Sequence, residues 1–574
     1  MMRFVSFLIV ATICLTSSLS AAEENGSTAS LLDKYRGAKE AGETAKPQST
    51  WPWIEWHGYF RNRGILLTEA DLGTYDSETR TGTSLVRPSL LSNPANSSGE
   101  GIHAGQLDDA EETTIGWASM RLRLQPTIHV WDRVRINTTV DLFDNMVFGT
   151  SPDFIASSTV PIVPIDTMTR TQVARASDNI ALKEAWVEWL MSFDDRVGPT
   201  SSSLGLIRVG RFANHWGMGI LYNRGDYLRN DPSLNTHQRK MALDADSGSY
   251  ADRIDWTGSF GEVNLRLGYS WMDHGTEPQW GTARELSDTD DLRQVEFSVF
   301  KCPDSLREFE ARRKALYSGD IFVDWGLLGS LRTRDNGLGE DGSLFDENAW
   351  VVTPDLWVRI DWRPEPAWRF MAQMEGALHY GQIDQVSEGE DSYSMELLSF
   401  GAALETLMQI DTISFGLDAG LASGDSHEIM LAASNENKAS HASGLFAFNQ
   451  DYIVDMLLYR EVLGGVMNSA YVKPHFAFDV LPSEQNAFGG RFSGLWAMAM
   501  NEVAWPGDSL NLGLELSASM FYEEANRFLG DISLGALFPF GARDRASGYG
   551  GAASDVSSDA VWAWTLQGRL NFVF

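Results

Sequence analysis

The chain has 574 residues, of which 45 are basic and 78 acidic, and its formal net charge is −33. Its 43% hydrophobic content with 20 tryptophans excludes a disordered chain, and its two cysteines exclude a disulfide scaffold or a cysteine-based zinc domain. The acidic excess argues against a nucleic-acid partner, which requires a basic surface.

The first 22 residues have the order of a secretory signal peptide. Arg3 precedes the apolar run of residues 4–15, and small residues ending at Ala22 follow it. The run is too short to span a bilayer, which takes about 20 residues. We therefore predict that 1–22 is removed and that the polar stretch 23–52 is a flexible periplasmic lead-in. No later apolar run is long enough for a spanning helix, so an exported chain of this kind is either soluble or a β-barrel.

From residue 53 onward, apolar and polar side chains alternate with the period of β-strands. In 53–64, Ile54 and Trp56 share one face, and the charged residues share the other. In 510–520 the even-numbered residues, Leu512 among them, form the apolar face. Segments of about ten residues with this alternation are typical of outer-membrane β-barrels.

A soluble β-sandwich would also alternate, but further features favour a membrane barrel. The polar face carries charged and small residues, as does the lumen of a wide barrel. The apolar face often ends in Trp, Tyr or Phe, as the girdles at membrane interfaces do. The chain ends on Phe572 and Phe574, which resemble the C-terminal sorting signal of Gram-negative outer-membrane barrels.

The alternation predicts one barrel over 53–574, with about 18 strands (16–20) and with long external loops and short periplasmic turns alternating between them. The expected strands lie near 53–64, 115–125, 133–143, 180–191, 204–212, 252–260, 263–272, 291–300, 314–326, 350–362, 367–380, 393–405, 411–422, 470–480, 491–503, 510–521, 530–538 and 560–574. The long loops include 213–251, 273–290, 333–349, 423–469 and 539–559. The connection 301–313 departs from the pattern and is a candidate helix.

The charged residues of the inward face are the candidate pore lining. They are Arg61, Arg63, Arg121, Arg123, Arg133, Arg135, Glu184, Glu188, Arg266, Asp361, Glu375 and Glu515. Arginines of the first three strands, with strands about 4.8 Å apart, would form a basic ladder on one wall. An acidic wall opposite would create a transverse field that selects ions. The alternative is that these charges pair across adjacent strands and keep the wall hydrated.

We expect no enzyme activity and no cofactor. The histidines are scattered without an HExxH motif or a close pair, and no nucleophile motif accompanies them. Acidic clusters occur in the predicted loops at 244–252, 287–291, 339–348 and 387–391. They could bind divalent cations, or bridge through them to lipopolysaccharide, or simply be solvated, and none has a complete calcium-loop spacing.

Two segments interrupt the alternation. In 210–221 (GRFANHWGMGIL), Gly217 and Gly219 would allow a sharp bend that shapes a loop base near the pore mouth. The stretch 448–465 has helical spacing, with Asp451 as a candidate N-terminal cap and Gly464 as a stop. It could fold into the lumen and narrow it, or it could lie on the outer rim.

Both segments, together with the opening WIEWHGYFRNRG at 53–64, resemble a family of uncharacterised outer-membrane proteins found mainly in deltaproteobacteria. The family pattern over the second segment is roughly FNPDYxVDLxLWRExLG. This chain has Gln450 in place of the proline and Tyr459 in place of the tryptophan. The resemblance implies no substrate. More distantly, the length and basic lumen resemble the alginate-export and porin-type barrels, which is an analogy of fold.

The sequence therefore predicts an all-β protein, a single large transmembrane antiparallel up-and-down barrel in the outer membrane of a Gram-negative bacterium. The expected function is a porin-like channel for passive diffusion of ions or small hydrophilic solutes, with a mild preference for anions. The alternatives are an exporter of an acidic polysaccharide and a plugged barrel that acts as a surface receptor or adhesin. The expected partners are outer-membrane lipid and lipopolysaccharide, the barrel-assembly machinery, and the small ions or solutes.

Overall fold

The computed structural model describes most of the barrel wall and the segments folded inside it. The described residues are 52–69, 72, 114–149, 180–192, 203–224, 248–272, 292–302, 306–338, 344–388, 391–424, 442–480, 486–501, 507, 509–524, 527–544 and 559–574. The predicted signal peptide (1–22), nearly all of the lead-in (23–52) and much of the long loops lie outside these ranges.

The described strands form one closed antiparallel sheet. Strand β2 (Gly58–Thr68) pairs on one side with β3 (Thr114–Leu124) and on the other with the last strand, β21 (Ala563–Val573), which closes the barrel. Short strands β1 (Trp53–Glu55) and β4 (Thr127–Trp131) pair with each other and prolong β2 and β3 in the same register.

The remaining elements follow in chain order. The strands are β5 (Val134–Gly149), β6 (Ile180–Ser192), β7 (Ser203–Ala213), β8 (Tyr250–Phe260), β9 (Val263–Met272), β10 (Leu292–Lys301), β11 (Ile321–Leu338), β12 (Leu344–Glu365), β13 (Trp368–Glu388), β14 (Asp391–Ile410), β15 (Ile413–Ala422), β16 (Ala442–Ser443), β17 (Ser469–Asp479), β18 (Asn486–Ala499), β19 (Asn511–Glu524) and β20 (Phe528–Pro539). The helical elements are α1 (Leu306–Tyr317), a π-helical turn (Leu458–Leu463) and a 3₁₀ turn (Gly541–Arg543). Among the described residues, no helix is both long and apolar enough to cross a membrane.

Eighteen of these strands span the wall, because β1 and β4 only prolong their neighbours and β16 is a two-residue parallel contact. The prediction of about 18 antiparallel strands is confirmed. With an even number, the two ends of the barrel chain lie together, and Gly58 N–H donates to the carbonyl of Phe574 at 2.9 Å. We call this end of the barrel the terminus end and the opposite end the loop end.

Two predicted boundaries were wrong around β11. The strand predicted over 314–326 begins only at Ile321, because the preceding chain forms α1, as the helical composition of 301–313 indicated. Its sequence, LREFEARRKALY, consists largely of strong helix formers and lacks β-branched residues. The predicted loop 333–349 is instead mostly strand, since β11 and β12 run on to Leu338 and from Leu344.

The outer face of the sheet is apolar and exposed, whereas the inner face is polar and buried. Ile532 is 61% exposed on the outside, and Asp531 beside it is 4% exposed inside. The predicted outward position of Leu512 was wrong. Ala497 pairs with Gly513 and Met498 with Asn511, so Leu512 is the extra residue of a bulge and its buried side chain joins an apolar cluster inside the barrel.

Two segments that start at the loop end fold into the lumen and contribute many of the side chains of this cluster. The 213–223 segment follows β7, and the 444–468 segment connects β16 with β17. Their buried apolar side chains pack against each other and against inward residues of the wall. The cluster includes Trp216, Met218, Ile220, Leu221 and Tyr222 from the first segment and Phe446, Phe448, Val454, Leu457, Leu458, Tyr459, Val462, Leu463 and Val466 from the second.

Candidate functional site

The 213–223 segment turns sharply at its two glycines, as the sequence predicts. Gly217 and Gly219 have φ angles of +56° and +89°, a region that glycine adopts at little cost. The turn is fixed by Glu375 of β13, whose Oε2 accepts hydrogen bonds from the backbone N–H groups of Met218 and Gly219. A Cβ at position 217 would lie 2.5 Å from Glu375 Oε2, so the close approach also requires glycine there.

Trp216 attaches the same turn to β12. Its indole Nε1–H donates to Asp355 Oδ1 at 2.9 Å, and its ring meets Phe300 edge-on at 6.1 Å. Gly326 of β11 leaves room for the indole, since a Cβ at that position would lie 2.7 Å from it. The Arg266 guanidinium lies 5.9 Å from the Trp216 ring centroid, within cation–π distance.

The 444–468 segment is held by a carboxylate of the wall that accepts three backbone donors. Glu515 of β19 receives the N–H groups of Met456, Leu457 and Leu458 at 2.9, 3.1 and 2.9 Å. Groups at the start of a helical turn have no intrahelical partner, and Glu515 therefore satisfies donors that burial would otherwise leave unpaired.

The helical part of this segment is shorter than its spacing predicts. It covers Leu458–Leu463 and ends at Gly464, whose left-handed conformation confirms the predicted stop. The predicted cap, Asp451, was wrong: it accepts the N–H of Gly248 instead. Asp455 takes the role, accepting the N–H groups of Tyr459 and Arg460 at 2.8 and 3.1 Å. Burial and the facing Glu515 carboxylate raise the pKa of Asp455 well above its usual value.

The two segments are bonded to each other inside the barrel. Asn449 N–H donates to the Ile220 carbonyl at 2.7 Å, and the Asn449 side-chain amide donates to the Leu221 carbonyl at 3.1 Å and to Ser249 Oγ at 2.9 Å. The sequence left two positions open for 448–465, in the lumen or on the outer rim. In the structure this segment lies in the lumen. The paired segments enter from the loop end and narrow the lumen.

An arginine strip lies on the inner face of β21, β2 and β3. Its members are Arg569, Arg63, Arg61, Arg121 and Arg123, in which Arg61 is paired across the strands with Arg121 and Arg63 with Arg569. Two carboxylates from the flanking strands contact the strip. Arg123 donates to both oxygens of Asp141 at 2.6 and 2.7 Å, and Arg569 donates to Asp531 at 3.2 Å.

The arginines that form this strip therefore differ from those predicted for the basic ladder. Arg133 lies in the two-residue turn between β4 and β5, where its carbonyl accepts the Leu190 N–H, and it does not face the lumen from a strand. Arg569 takes part although sequence reasoning missed it. Its inward position follows from the alternation of the last strand, which puts Trp564, Leu566 and Leu570 outside.

The remaining predicted pore-lining residues face inward and are engaged with neighbours. Arg135 and Glu188 form an ion pair at 3.2 Å. Glu184 accepts the hydroxyl of Thr139 at 2.7 Å and the N–H of Ala213 at 3.0 Å. Pairing between adjacent strands thus accounts for several of these charges. Asp361 binds Arg369 at 3.0 Å, while Glu375 and Glu515 hold the inserted segments rather than forming a free acidic wall.

A second charged network, on β7, β8 and β10, was not predicted. Arg253 binds Asp255 at 2.9 Å and Glu296 at 2.6 Å, and Arg208 binds Asp255 at 3.2 Å. The side-chain amide of Asn214 donates to Glu296 at 3.1 Å, so this network also holds the start of the 213–223 segment. The inward positions could have been read from the strand alternation, but their pairing depends on register.

Within the ranges the structure describes, no group of three or more His, Cys, Asp or Glu residues is arranged to hold a metal ion. The acidic clusters at 244–252, 287–291, 339–348 and 387–391 lie largely outside those ranges or have undescribed side chains. Binding of divalent cations by these loops stays a prediction.

No protein-family model and no curated protein matches the sequence, so the family resemblance stays a prediction. Several solved outer-membrane barrels are similar in structure at low identity. OccK9 of Pseudomonas aeruginosa is 10% identical, with 91% of this chain and 98% of that chain covered and a TM-score of 0.44. OccAB2 of Acinetobacter baumannii is 8% identical, with the same coverages and a TM-score of 0.43. OmpT of Vibrio cholerae is 8% identical, with coverages of 93% and 100% and a TM-score of 0.32.

Proposed function

We propose that this protein is an outer-membrane channel of a Gram-negative bacterium that passes small hydrophilic solutes and prefers anions. The observation that carries the proposal is the difference between the outer and inner faces of the wall. A closed sheet presents apolar side chains outward and places a strip of five arginines against two carboxylates on its inner face. This arrangement combines a membrane-compatible exterior with a charged interior.

The outer face supports the membrane location. Trp56, Trp131 and Phe260 are exposed near the terminus end, and Trp350 and Tyr380 pack edge-on at 5.6 Å near the loop end. Aromatic residues of this kind occupy membrane interfaces. Burial of such a surface in lipid contributes roughly 25 cal/mol for each Å² removed from water, and closure of the sheet leaves no unpaired strand edge in the hydrocarbon.

The inner face supports selection of small anions. The 213–223 and 444–468 segments reduce the cross-section of the lumen, and a narrower lumen is less compatible with passage of a polysaccharide chain. The arginine strip provides excess positive charge at the wall, where a low local dielectric strengthens its attraction for anions. Arg121 also contacts Asp141, at 3.5 Å, so the proposed preference comes from the strip as a whole, in which five guanidinium groups face two carboxylates.

A plugged barrel that acts as a surface receptor or adhesin is the second candidate. The apolar cluster favours it, because it links the inserted segments with wall residues as far apart as Leu328 of β11 and Ile65 of β2. In that case the loops of the loop end would carry the function. We also propose that Phe572 and Phe574, which face outward at the terminus end, are read by the barrel-assembly machinery.

The test is the single-channel conductance and reversal potential of the refolded protein in a planar bilayer, with folding checked by heat-dependent gel mobility. We expect discrete steps and an anion-selective reversal potential. Arg61→Gln with Arg63→Gln should shift that potential toward cations, whereas Arg293→Gln, on the exposed outer face, should not. An unchanged potential in the double variant would remove the role of the strip. A folded protein without steps would favour the plugged barrel.

A further inference from the structure

Helix α1 occupies an unusual place for a barrel connection. It joins β10 to β11 at the terminus end, where the other described connections between strands are short. One of its side chains, Arg312, is 5% exposed. Arg312 points away from solvent toward Asp324 of β11 and Asp361 of β12, which are inward residues of the wall. The helix therefore leans over the lumen at the terminus-end mouth.

The contacts of Arg312 join the helix to two wall carboxylates. Its Nη1 lies 2.6 Å from Asp324 Oδ2, and its Nη2 lies 3.6 Å from Asp361 Oδ2. The guanidinium also lies 5.0 Å from the Phe322 ring centroid. A second, weaker attachment is the stack of Arg363 on Tyr317 at 3.9 Å, where Tyr317 is exposed.

The wall does not need Arg312 for its own charge balance. Asp324 is bonded to Arg359 at 2.9 Å, and Asp361 is bonded to Arg369 at 3.0 Å. Departure of Arg312 would leave both carboxylates with a cation, so it would not create an uncompensated buried charge in the wall. The helix, by contrast, depends on the wall, because an isolated helix of 12 residues is marginal in water.

We propose that α1 is a lid on the terminus-end mouth of the lumen and that Arg312 is the latch that holds it closed. The lid rests on the proposed channel function, since it controls access to the same lumen. It lies at the terminus end, whereas the inserted segments enter the lumen from the loop end. With the short turns on the periplasmic side, as the sequence predicts, this mouth faces the periplasm.

The experiment compares Arg312→Gln and Arg312→Lys with Lys314→Gln, a matched change of an exposed residue on the same helix. Hydrogen exchange of the amides in 306–317 reports on docking of the helix, and planar-bilayer recordings report on the mouth. We expect exchange at least tenfold faster in Arg312→Gln, an intermediate value in Arg312→Lys and no change in Lys314→Gln. We also expect at least 1.5-fold larger conductance, or new rapid closures, in Arg312→Gln.

The outcomes separate the lid from the channel function. If the unmodified protein conducts and Arg312→Gln shows the same exchange and the same conductance, the lid is overturned while the channel stands. If exchange rises but the conductance stays constant and no new closures occur, the helix is attached by Arg312 yet does not cover the path, which also overturns the lid. If both proteins are folded and neither conducts, the channel function itself fails. If only Arg312→Gln conducts, the lid is supported as the closure.

Discussion

Removing the Glu515 carboxylate should release the 444–468 segment from the wall. Glu515→Ala deletes the acceptor of three backbone N–H groups and offers no replacement. Leu457 and Leu458 are both 0% exposed, so water cannot easily reach their two donors. The third donor belongs to Met456, which is only partly buried, and we assign no loss to it.

The size of the effect follows from the two buried donors. Each buried donor that loses its partner costs about 1–3 kcal/mol, so docking of the segment weakens by about 2–6 kcal/mol. Since about 1.4 kcal/mol corresponds to a factor of ten, local opening becomes roughly 30-fold to 20,000-fold more frequent. The apolar cluster around the segment opposes complete release, which places the expected value toward the lower end.

Hydrogen exchange of the amides in 455–463 measures this opening directly, because exchange of protected amides proceeds through local unfolding. Ser517→Ala is the matched control: it lies two residues along the same inner face and bonds Ser493 rather than the segment. We expect faster exchange in Glu515→Ala with the strands of the wall unaffected. A folded Glu515→Ala protein whose 455–463 exchange stays within threefold of the control would refute the anchoring role.

Two further predictions concern the inserted segments. Gly217→Ala should lower the free energy of unfolding by at least about 1–2 kcal/mol in denaturant titrations, because φ is +56° and the new Cβ would meet Glu375. Gly568→Ala is the control and should cost much less, because a Cβ at that position meets no atom within 4 Å. Burial raises the pKa of Asp455, so its docked carboxyl keeps a proton above the undocked pKa of 3.8. Docking of 444–468 should therefore weaken as pH rises from 4. The loss is up to about 1.4 kcal/mol per pH unit until the docked pKa is reached. Exchange in 455–463, corrected for intrinsic pH dependence, should show this slope. Asp455→Asn should reduce the slope, and equal slopes in the two proteins would contradict the assignment.

Strand number and facing could be predicted because they depend on a period of two within each strand. Ile54 and Trp56 are outside and Arg61 and Arg63 inside, as the alternation requires. The prediction for Leu512 was wrong because a bulge adds one residue and reverses the face locally. The position of a bulge depends on the partner strand. The helix over Leu306–Tyr317 was only a candidate, since a short turn was the default at that end.

The roles of individual charges could not be predicted, because they depend on tertiary contacts. Glu375 and Glu515 are inward residues like Glu188, and alternation treats all three alike. Only the approach of Met218, Gly219 and Leu458 distinguishes the first two from Glu188, whose partner is Arg135 on the neighbouring strand. To predict pairing with a neighbouring strand, the strand register must be known. To predict contact with an inserted segment, the path of the loop must be known.

A sequence signal for the inserted segments does exist on the inner face of the wall. On β2 the inward residues change from Arg61 and Arg63 to Ile65 and Leu67 toward the loop end. On other strands, the inward positions beside the inserted segments hold small residues that leave room for inserted side chains. They include Gly326 beneath Trp216, Gly401 beneath Phe446, and Ala377, Ala403, Ala422, Ala497 and Ala563.

On β20, β21 and β2, these changes divide the inner face along the barrel axis into two parts with different physical properties. Asp531 and Leu537 are inward residues of one strand, six residues or about 20 Å apart. Asp531 contacts the arginine strip, and Leu537 belongs to the apolar cluster. An anion crossing the charged part is attracted by groups that stay fixed in paired strands. To pass the apolar part it needs space beside segments that are held by hydrogen bonds to Glu375 and Glu515. The strip can therefore set which charge is preferred, whereas the inserted segments set how much passes.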